Sequence, residues 1–301
     1  MEEGKPSATA LISAMFRAAH LLWRQPPKIF EDTLALRLSG CETETVLKAQ
    51  IDQLEAEVAQ NTNPDFARTL LRSVEVPLVT RSRYLEDEVD QAIGRGLSQY
   101  VILGAGLDSF AYRRPELAKV LNIFEVDHPA TQAWKRGRLR AAAVELPVNL
   151  SLVPVDFERD SLIDNLWMNG YRTDTPSLFS WLGVTMYLST EAIFGTLRAV
   201  AALAPGTEII FEYIVPKELV DEETQKVLAA AMTAAEARGE PQRSFFEPAQ
   251  LAEQVRKIGF AEVSDFGPDE VDARYFKDRT DGLRRSELNH YMRARVGPRS
   301  T

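Results

Sequence analysis

The chain of 301 residues has one cysteine, Cys41, and no apolar run of membrane-spanning length. A single cysteine excludes an intrachain disulfide and a cluster of thiolate metal ligands, so we expect a reducing, cytoplasmic setting and no metal. A transmembrane helix needs roughly 20 apolar residues. The apolar stretch near the N-terminus is interrupted by Arg17, His20 and Arg24, which predicts an amphipathic helix rather than a signal peptide. We therefore expect no membrane partner.

Positive charge is also scarce, since 35 Lys and Arg residues face 44 Asp and Glu residues and leave a net charge of −9. Nucleic-acid phosphates require a basic surface, so nucleic acid is not expected as a partner. Apolar residues make up 45% of the chain. That fraction is enough to fill a large core, and it argues against disorder.

Two kinds of apolar pattern follow one another along the chain. In the first hundred residues, apolar positions recur every three or four residues, which predicts helices. Beyond them come short apolar runs rich in β-branched and aromatic residues, typical of buried strands. The predicted strands are YVILGAG (100–106), NIFEVD (122–127), LVPVDF (152–157), LFSWLGVTMY (178–187) and TEIIFEYIV (207–215). Helical segments separate these runs, which predicts β-α-β units and a parallel sheet covered on both faces.

We predict a single domain, 1–301, with an irregular C-terminal part. An Ala-rich helical segment at 217–239 interrupts the alternation and is interpreted as a cap. A helix at 247–258 and strands at 260–266 and 288–296 follow. The predicted parts are an N-terminal helical region (1–97), a cofactor-binding core (98–215), a cap-like helical insertion (216–245) and the C-terminal part of the sheet (246–301).

The stretch VILGAGLDSFAYRR (101–114) places Gly104, Ala105 and Gly106 at the end of the first predicted strand. Ligands of open α/β sheets bind outside the carboxyl ends of the strands. Glycine permits a positive φ and a close approach of a ligand to the backbone. The turn is therefore a candidate nucleotide site, although Gly-x-Gly alone does not identify the nucleotide.

Neighbouring residues favour S-adenosylmethionine over a dinucleotide. Glu125 and Asp127 end the second strand about 20 residues further on, where an acid binds the ribose hydroxyls in NAD and S-adenosylmethionine enzymes alike. The third glycine of a dinucleotide fingerprint is replaced by Ser109, and Asp108 would repel a pyrophosphate. A sulfonium ligand has no phosphate to be repelled. A nicotinamide-dependent oxidoreductase remains the alternative.

Asp156 and Phe157 follow the third strand and are candidates for adenine recognition. The carboxylate of Asp156 can accept a hydrogen bond from the exocyclic amine, and Phe157 can pack on the ring or offer its backbone N–H. Asp156 is equally suited to a turn or a helix N-cap, and both interpretations stay open here.

Five motifs in this order, RSRYLEDEV, YVILGAGLDSFAYRRP, FEVDHP, PVDF and SWLGVTMYLS, resemble the leucine carboxyl methyltransferase-like family of S-adenosylmethionine-dependent methyltransferases, in its bacterial branch. The likeness extends from about residue 78 to 215, with weaker similarity at 29–38. It implies an α/β, class I methyltransferase (Rossmann-like) fold with a mostly parallel seven-stranded sheet, an N-terminal helical extension and a helical cap. It also implies S-adenosyl-L-methionine as the cofactor.

The resemblance further implies roles for individual residues. Arg81 matches the arginine that holds the methionine carboxylate, Gly104 and Gly106 match the turn beneath the methionine, Asp127 matches the ribose-binding acid, and Asp156 with Phe157 matches the adenine pair. Arg81 and Arg83 are alternatively a solvated helix face paired with Glu86 and Asp87. Many relatives carry a glutamate where this chain has Leu182, so any cofactor contact from that carboxylate is missing or supplied elsewhere.

The acceptor is less defined, and no catalytic residue is identified. A carboxylate acceptor is ionised at neutral pH and needs no general base, whereas a hydroxyl acceptor does. None of His20, His128 and His290 lies in a recognisable base motif. We therefore expect O-methylation of a carboxyl or hydroxyl group on a small metabolite or a protein, with the carboxyl group favoured. A non-catalytic cofactor-binding module of the same fold is a further alternative.

Two other groups of residues have open roles in binding the acceptor. Arg113 and Arg114, just past the glycine turn, either steer an anionic acceptor or pair with Glu116 at the surface, and the surface pairing is favoured. Four aromatic residues either line an apolar acceptor pocket or belong to the core: Tyr187, Tyr213, Phe245 and Phe246.

Overall fold

A computed structural model describes residues 7–60 and 62–298. Residues 1–6 and 299–301, the outer ends of the first and last predicted parts, lie outside the described residues. The N-terminal region is helical, as predicted. Its helices are α1 (Ala8–Trp23), α2 (Ala35–Ser39), α3 (Glu44–Gln60) and α4 (Pro64–Gly94).

Local capping explains where two of these helices begin. The Ser7 side chain accepts a hydrogen bond from the N–H of Ala10 at the start of α1, and the Asn63 side chain accepts one from Phe66 at the start of α4. Such caps satisfy N–H groups that have no partner within the helix. Pro64 occupies the first position of α4, where the missing N–H costs nothing.

The centre of the molecule is one sheet of seven strands, as predicted. The strands are β1 (Gln99–Leu103), β2 (Asn122–Asp127), β3 (Leu150–Pro154), β4 (Leu178–Trp181), β5 (Glu208–Ile214), β6 (Phe260–Phe266) and β7 (Asn289–Val296). Their order across the sheet is β3-β2-β1-β4-β5-β7-β6. The first five strands are parallel, and β7 runs antiparallel to both β5 and β6.

The remaining helices cover the two faces of this sheet or connect its strands. They are α5 (Phe110–Arg113), α6 (Pro129–Ala141), α7 (Leu162–Met168), α8 (Thr190–Ala201), α9 (Glu222–Ala237), α10 (Pro248–Ile258) and α11 (Pro268–Val271). Short 3-10 turns occur at Pro115–Lys119, Thr185–Tyr187 and Lys217–Leu219, and a π-helical turn occurs at Asp272–Phe276.

Side chains alternate between two cores along the central strands. Val101 and Leu103 pack in the cluster on one face of the sheet, and Tyr100 and Ile102 pack with residues of α4 on the other. Because both faces are covered, these strands are continuous apolar runs rather than alternating ones. The pattern in the sequence therefore has a direct structural cause.

Several predicted boundaries differ from the structure. The first strand ends at Leu103 rather than at residue 106. The helical patterns before and after residue 80 belong to one helix, α4, which includes Pro77 in its interior. Burial of one face of α4 offsets the hydrogen bond that Pro77 cannot donate. The third and fourth strands end at Pro154 and Trp181, several residues earlier than predicted, and the apolar residues that follow them belong to loops and a 3-10 turn.

The register brings several loops to one edge of the sheet. Leu103 at the end of β1 is opposite Val126 of β2 and Trp181 of β4. The segments that follow β1, β2, β3 and β4 therefore emerge side by side at their carboxyl ends. Within the described part of the chain, no helix combines the length and hydropathy that crossing a membrane requires.

Candidate functional site

A cavity of about 600 Å³ lies at the carboxyl ends of the parallel strands. Three parts of the chain line it: the helices α1 and α4, the loops that follow β1 to β4, and the segment 240–243 that comes just after α9. Cavities of this size hold small molecules or cofactors. The predicted site residues Arg81, Gly104, Ala105, Gly106, Asp127, Asp156 and Phe157 all line it.

The glycine turn has the tight geometry that the sequence predicts. Gly104 has a φ of +69° and Gly106 a φ of +46°, in the left-handed region that favours glycine. A Cβ on Gly104 would lie 2.3 Å from Cγ2 of Val184. The N–H groups of Gly104 and Ala105 both donate to the carbonyl oxygen of Val126, at 2.8 and 3.1 Å, so β2 anchors the turn.

Asp127 lies beside this turn and is buried. Its Oδ2 accepts a hydrogen bond from the N–H of Gly106 at 2.5 Å, and its Oδ1 accepts one from the N–H of His128 at 2.7 Å. Burial raises the pKa of Asp127 above its ordinary value, although these two N–H donors oppose the rise. Each carboxylate oxygen has a second lone pair with which it can accept a hydrogen bond from a ligand hydroxyl.

The structure separates Asp127 from the other acid of the same strand. Glu125 is buried away from the cavity, and its Oε2 pairs with Nζ of Lys135 at 2.6 Å. Burial raises the pKa of Glu125 even against the opposing effect of Lys135. Of the two acids, Asp127 is the one positioned to contact a ligand.

Asp156 and Phe157 lie in the loop after β3 rather than in the strand itself. Asp156 has the role of a turn residue, because its Oδ1 accepts a hydrogen bond from the N–H of Glu158 at 3.0 Å. Its side chain is nevertheless 30% exposed and lines the cavity. Phe157 lines the cavity beside it and packs on Trp181, with ring centroids 5.9 Å apart. The turn role and a ligand-binding role are therefore compatible.

Arg81 is not part of a solvated helix face. Its side chain is 15% exposed, its Nη1 donates to Oε2 of Glu212 at 3.1 Å, and its Nη2 donates to Oγ of Ser13 at 3.3 Å. Only Arg83 has the expected surface pairing, with Asp87 at 2.9 Å. The alternative interpretation is thus wrong for Arg81 and correct for Arg83.

Sequence reasoning missed Glu212, the partner of Arg81. This carboxylate lies in β5 with 0% of its residue surface exposed, and its Oε1 accepts a hydrogen bond from Nδ2 of Asn289 at 2.7 Å. The signal was an acid inside the apolar run IIFEYIV, since a buried carboxylate requires a partner. Gly183 makes room for the pair, because a Cβ there would lie 2.4 Å from Nη1 of Arg81.

Arg113 and Arg114 do not reach the cavity. Arg114 pairs with Glu116, as favoured, and also with Asp90 at 2.8 Å. Arg113 instead lies in a buried network, where it contacts Glu86 and donates to Oγ of Ser109 at 2.9 Å. The surface pairing is correct for Arg114 and wrong for Arg113.

Leu182, which replaces the glutamate of many relatives, lines the cavity as an uncharged residue.

The lining of the cavity also contains groups that the sequence did not reveal. Glu240 is buried and accepts hydrogen bonds from the N–H of Thr9, at 3.1 Å, and from its hydroxyl. Arg243 also lines the cavity as an exposed residue, and within residues 7–60 and 62–298 no acid pairs with its side chain. Thr9 and Glu240 are 231 positions apart, so no local pattern indicated their contact.

Of the four candidate aromatic residues, Tyr187 lines the cavity. Burial raises the pKa of Tyr187, so its hydroxyl stays protonated at neutral pH. The hydroxyl of Tyr213 donates to Oδ1 of Asp265 at 2.8 Å, and Phe245 and Phe246 pack against the core. For these three the core interpretation is correct.

The cavity fits S-adenosylmethionine by the chemistry of its lining. A guanidinium suits the carboxylate of the methionine, a tight glycine turn suits a closely packed ligand chain, and a buried carboxylate suits ribose hydroxyls. An acid and an aromatic ring next to it suit adenine. These groups follow one another across the sheet in the order β1, β2, β3, which matches a ligand extended along its carboxyl edge.

Sequence comparison shows which family has this arrangement. The sequence model of the leucine carboxyl methyltransferase family matches residues 10–201. A Bacillus subtilis (strain 168) protein with the provisional name S-adenosyl-L-methionine-dependent methyltransferase YktD is 32% identical over 303 residues, which cover 98% of this chain and 99% of that protein. A Mycobacteroides abscessus protein with the same kind of provisional name is 33% identical over 213 residues, which cover 69% of this chain and 65% of that protein.

Solved structures show the same fold at low sequence identity. A protein from Thermobifida fusca YX, described provisionally as a methyltransferase, superposes with a TM-score of 0.57 and 16% identity, covering 99% of this chain and 97% of that one. A DUF574 family protein from Streptomyces avermitilis superposes with a TM-score of 0.57 and 14% identity, covering 97% of this chain and 98% of that one.

Family membership decides between the two cofactors considered from the sequence, in favour of S-adenosylmethionine and against a nicotinamide. It also decides for an enzyme over a non-catalytic module. The chain belongs to the leucine carboxyl methyltransferase family and is an S-adenosylmethionine-dependent methyltransferase.

Proposed function

We propose that the protein is an O-methyltransferase that methylates a carboxyl group on a small acceptor. The observation that carries this proposal is Arg243, an exposed arginine in the lining of the cavity, with no acid paired to it in the described part of the chain. A guanidinium binds a carboxylate through two parallel hydrogen bonds. The single cysteine supports a cytoplasmic location for this activity.

The proposed donor site uses the residues described above in sequence order. Arg81 binds the methionine carboxylate, the turn at Gly104–Gly106 supports the methionine chain, and Asp127 accepts hydrogen bonds from the ribose. Asp156 and Phe157 bind the adenine. We propose that the acceptor then occupies the part of the cavity lined by Tyr187, Thr9, Glu240 and Arg243.

When bound, S-adenosylmethionine would supply an electrophilic methyl carbon to the acceptor oxygen, with the carbon–sulfur bond breaking as the carbon–oxygen bond forms. The chain itself supplies mainly position, because holding two reactants in line removes much of the entropic barrier. Arg243 orients the acceptor carboxylate. No proton has to move, since a carboxylate is already ionised at neutral pH and the products are a thioether and an ester.

A small acceptor is favoured over a protein by a contact between two segments that line the cavity. The contact between Thr9 and Glu240 joins α1 to the segment after α9. A hydroxyl acceptor is less well supported. It requires a base, but Tyr187 is protonated at neutral pH and Glu240 already accepts two hydrogen bonds from Thr9.

The test is a panel of matched small carboxylic acids and alcohols, with S-adenosylhomocysteine formation measured and the products identified by mass spectrometry. We expect methyl esters from acids and no ethers from the alcohols. Methylation of the alcohols in preference to their matched acids would contradict the proposal.

Arg243→Gln provides the residue-specific part of this test. We expect its KM for the acid to rise about tenfold while affinity for S-adenosylhomocysteine stays unchanged, because a charge-assisted hydrogen bond contributes roughly 1.5–3 kcal/mol. Arg198→Gln is the matched control, since Arg198 is an exposed arginine on α8 outside the cavity. Equal KM values for the Arg243→Gln and Arg198→Gln variants would show that Arg243 does not bind the acceptor.

A further inference from the structure

We propose that Glu212 is a positioning residue for the methyl donor, and that it holds the Arg81 guanidinium in the orientation that receives the methionine carboxylate. The inference rests on the proposed role of Arg81 in the donor site. Glu212 does not itself line the cavity and acts through its contact with Arg81, whose Nη1 lies 3.1 Å from its Oε2.

The position of Glu212 in the sheet accounts for this contact. Its neighbour on the same face of β5, Ile210, packs in the cluster that contains Val79 and Leu85 of α4. Side chains two residues apart on a strand point to the same face. Glu212 therefore points to the face that α4 covers, and Arg81 comes from that helix.

Both oxygens of the Glu212 carboxylate have a specific partner. Oε2 accepts a hydrogen bond from Arg81, and Oε1 accepts one from Nδ2 of Asn289 at 2.7 Å. A fully buried carboxylate is stable only when it is paired and hydrogen-bonded. Asn289 fixes the carboxylate from β7, so the orientation of Glu212 is determined before any ligand arrives.

The guanidinium of Arg81 is held in the same way. It has five N–H groups in a rigid planar fork, and its contacts with Glu212 and Ser13 use groups on both Nη atoms. Gly183 lets the backbone approach the fork closely. Because the side chain is ordered in advance, less rotamer entropy is lost when the N–H groups that face the cavity bind a carboxylate.

The same strand contains a matched control. Glu208 is also a buried carboxylate of β5, but it pairs with Arg95 at 2.9 Å and Arg293 at 2.6 Å, outside the cavity. Substitution of Glu208 likewise removes a buried carboxylate that pairs with arginines, but Arg95 and Arg293 are 40% and 30% exposed and Arg293 keeps its contact with Glu88. Only substitution of Glu212 changes the arginine that faces the donor.

The experiment compares two ligands by isothermal titration calorimetry: S-adenosylhomocysteine and its decarboxylated analogue, which lacks only the carboxylate. We expect Glu212→Gln to bind S-adenosylhomocysteine about tenfold more weakly and to bind the analogue as the unsubstituted protein does. Glu208→Gln should keep the full preference for the carboxylate. Asn289→Ala, a milder change, should lose two- to threefold of that preference.

Equal weakening of both ligands by Glu212→Gln, or no weakening of either, would overturn the inference. If Glu212→Gln does not fold, Asn289→Ala alone decides in the same way. Arg81→Gln distinguishes a failure of the proposed role of Arg81 from a failure of the proposed role of Glu212. If it keeps the preference for the carboxylate, the proposed role of Arg81 fails. If Arg81→Gln loses that preference while Glu212→Gln retains it, the proposed role of Arg81 is supported and the proposed role of Glu212 is refuted.

Discussion

At the scale of single residues, the donor site depends on one carboxylate, Asp127, that has two structural tasks. It closes the glycine turn by accepting a hydrogen bond from Gly106, and it lines the cavity where a ribose is proposed to bind. Burial raises its pKa. Acidification should therefore affect ligand binding through Asp127 sooner than an ordinary aspartate would allow.

We expect the affinity for S-adenosylhomocysteine to fall as the pH is lowered toward the raised pKa of Asp127, at a pH above the ordinary value of 3.8. The carboxylate accepts hydrogen bonds from both ribose hydroxyls only while it is ionised. Asp127→Asn should bind about tenfold more weakly at neutral pH and lose this pH dependence. Titration calorimetry across the acidic range measures both effects. Asp164→Asn, an exposed control on α7, should behave as the unsubstituted protein, and an unaltered pH profile in Asp127→Asn would refute the assignment.

Gly104 supports a second prediction at this scale. We expect Gly104→Ala to lower the free energy of unfolding by about 1–2 kcal/mol and to weaken donor binding, because alanine is strained at positive φ. Its Cβ also meets Val184 at 2.3 Å. The double variant with Val184→Ala should recover part of the binding, since it removes the steric clash but not the strain. Gly94→Ala, where a Cβ meets nothing within 4 Å, should keep full affinity, and urea denaturation with calorimetry distinguishes the three.

At the scale of elements, α1 forms part of the cavity lining, and its position there depends on its attachment to the core. Arg17 of α1 donates from Nε to Oδ2 of Asp32 at 2.8 Å and from Nη2 to the carbonyl oxygen of Leu107 at 2.7 Å. Asp32 also accepts a hydrogen bond from Ser109 at 2.7 Å. This network fixes α1 directly against the loop that carries the glycine turn.

We expect Asp32→Asn to lower the free energy of unfolding at neutral pH by about 3 kcal/mol, because it leaves the buried guanidinium of Arg17 without its acid. Burial favours a higher pKa for Asp32, but Arg17, Arg113 and the Ser109 hydroxyl outweigh it and lower the pKa below 3.8. The ionised carboxylate therefore contributes its stability above pH 3.8, the unfolded value, and loses it as the pH falls toward the lower folded value.

Chemical denaturation at several pH values measures this dependence. The stability difference between Asp32→Asn and the unsubstituted protein should be constant from neutral pH down to about pH 5 and should shrink only below the ordinary pKa of an aspartate. Asp174→Asn is the control, because that carboxylate pairs with Arg172 in an exposed position. A difference that changed between neutral pH and pH 5 would show that another titrating group holds α1.

At the scale of the whole molecule, one cavity draws its lining from the N-terminal helices, the core and the segment after α9. A ligand bound there should stabilise all three together. We expect S-adenosylhomocysteine at about 100 times its Kd to raise the free energy of unfolding by about 2.7 kcal/mol in one transition. Calorimetry or denaturant titration with two probes checks this, and Arg81→Gln should show a smaller shift at the same ligand concentration. Two transitions, with only one responding to the ligand, would show that these parts unfold separately.

The mostly parallel sheet was predictable from the sequence, because its strands are short apolar runs separated by helical segments. Asp127 and the glycine turn were predictable because they lie at the carboxyl ends of the first two strands, where ligands of such sheets bind. The contact of Thr9 with Glu240 was not, since it joins distant segments that show no shared periodicity. The ends of β3 and β4 were also misjudged, because the apolar residues beyond them, such as Phe157 and Met186, are buried in loops and turns.

The position of β7 has a consequence for the synthesis of the chain. This strand is made after every other strand of the described sheet, yet it lies between β5 and β6 and bonds to both. While the ribosome still holds residues 289–296, β6 has no neighbour in the sheet and β5 has an open edge. Asn289, the partner of Glu212, arrives with the same strand. A nascent chain or a fragment that stops before residue 289 therefore has the glycine turn and Asp127 but an unfinished anchor for Arg81.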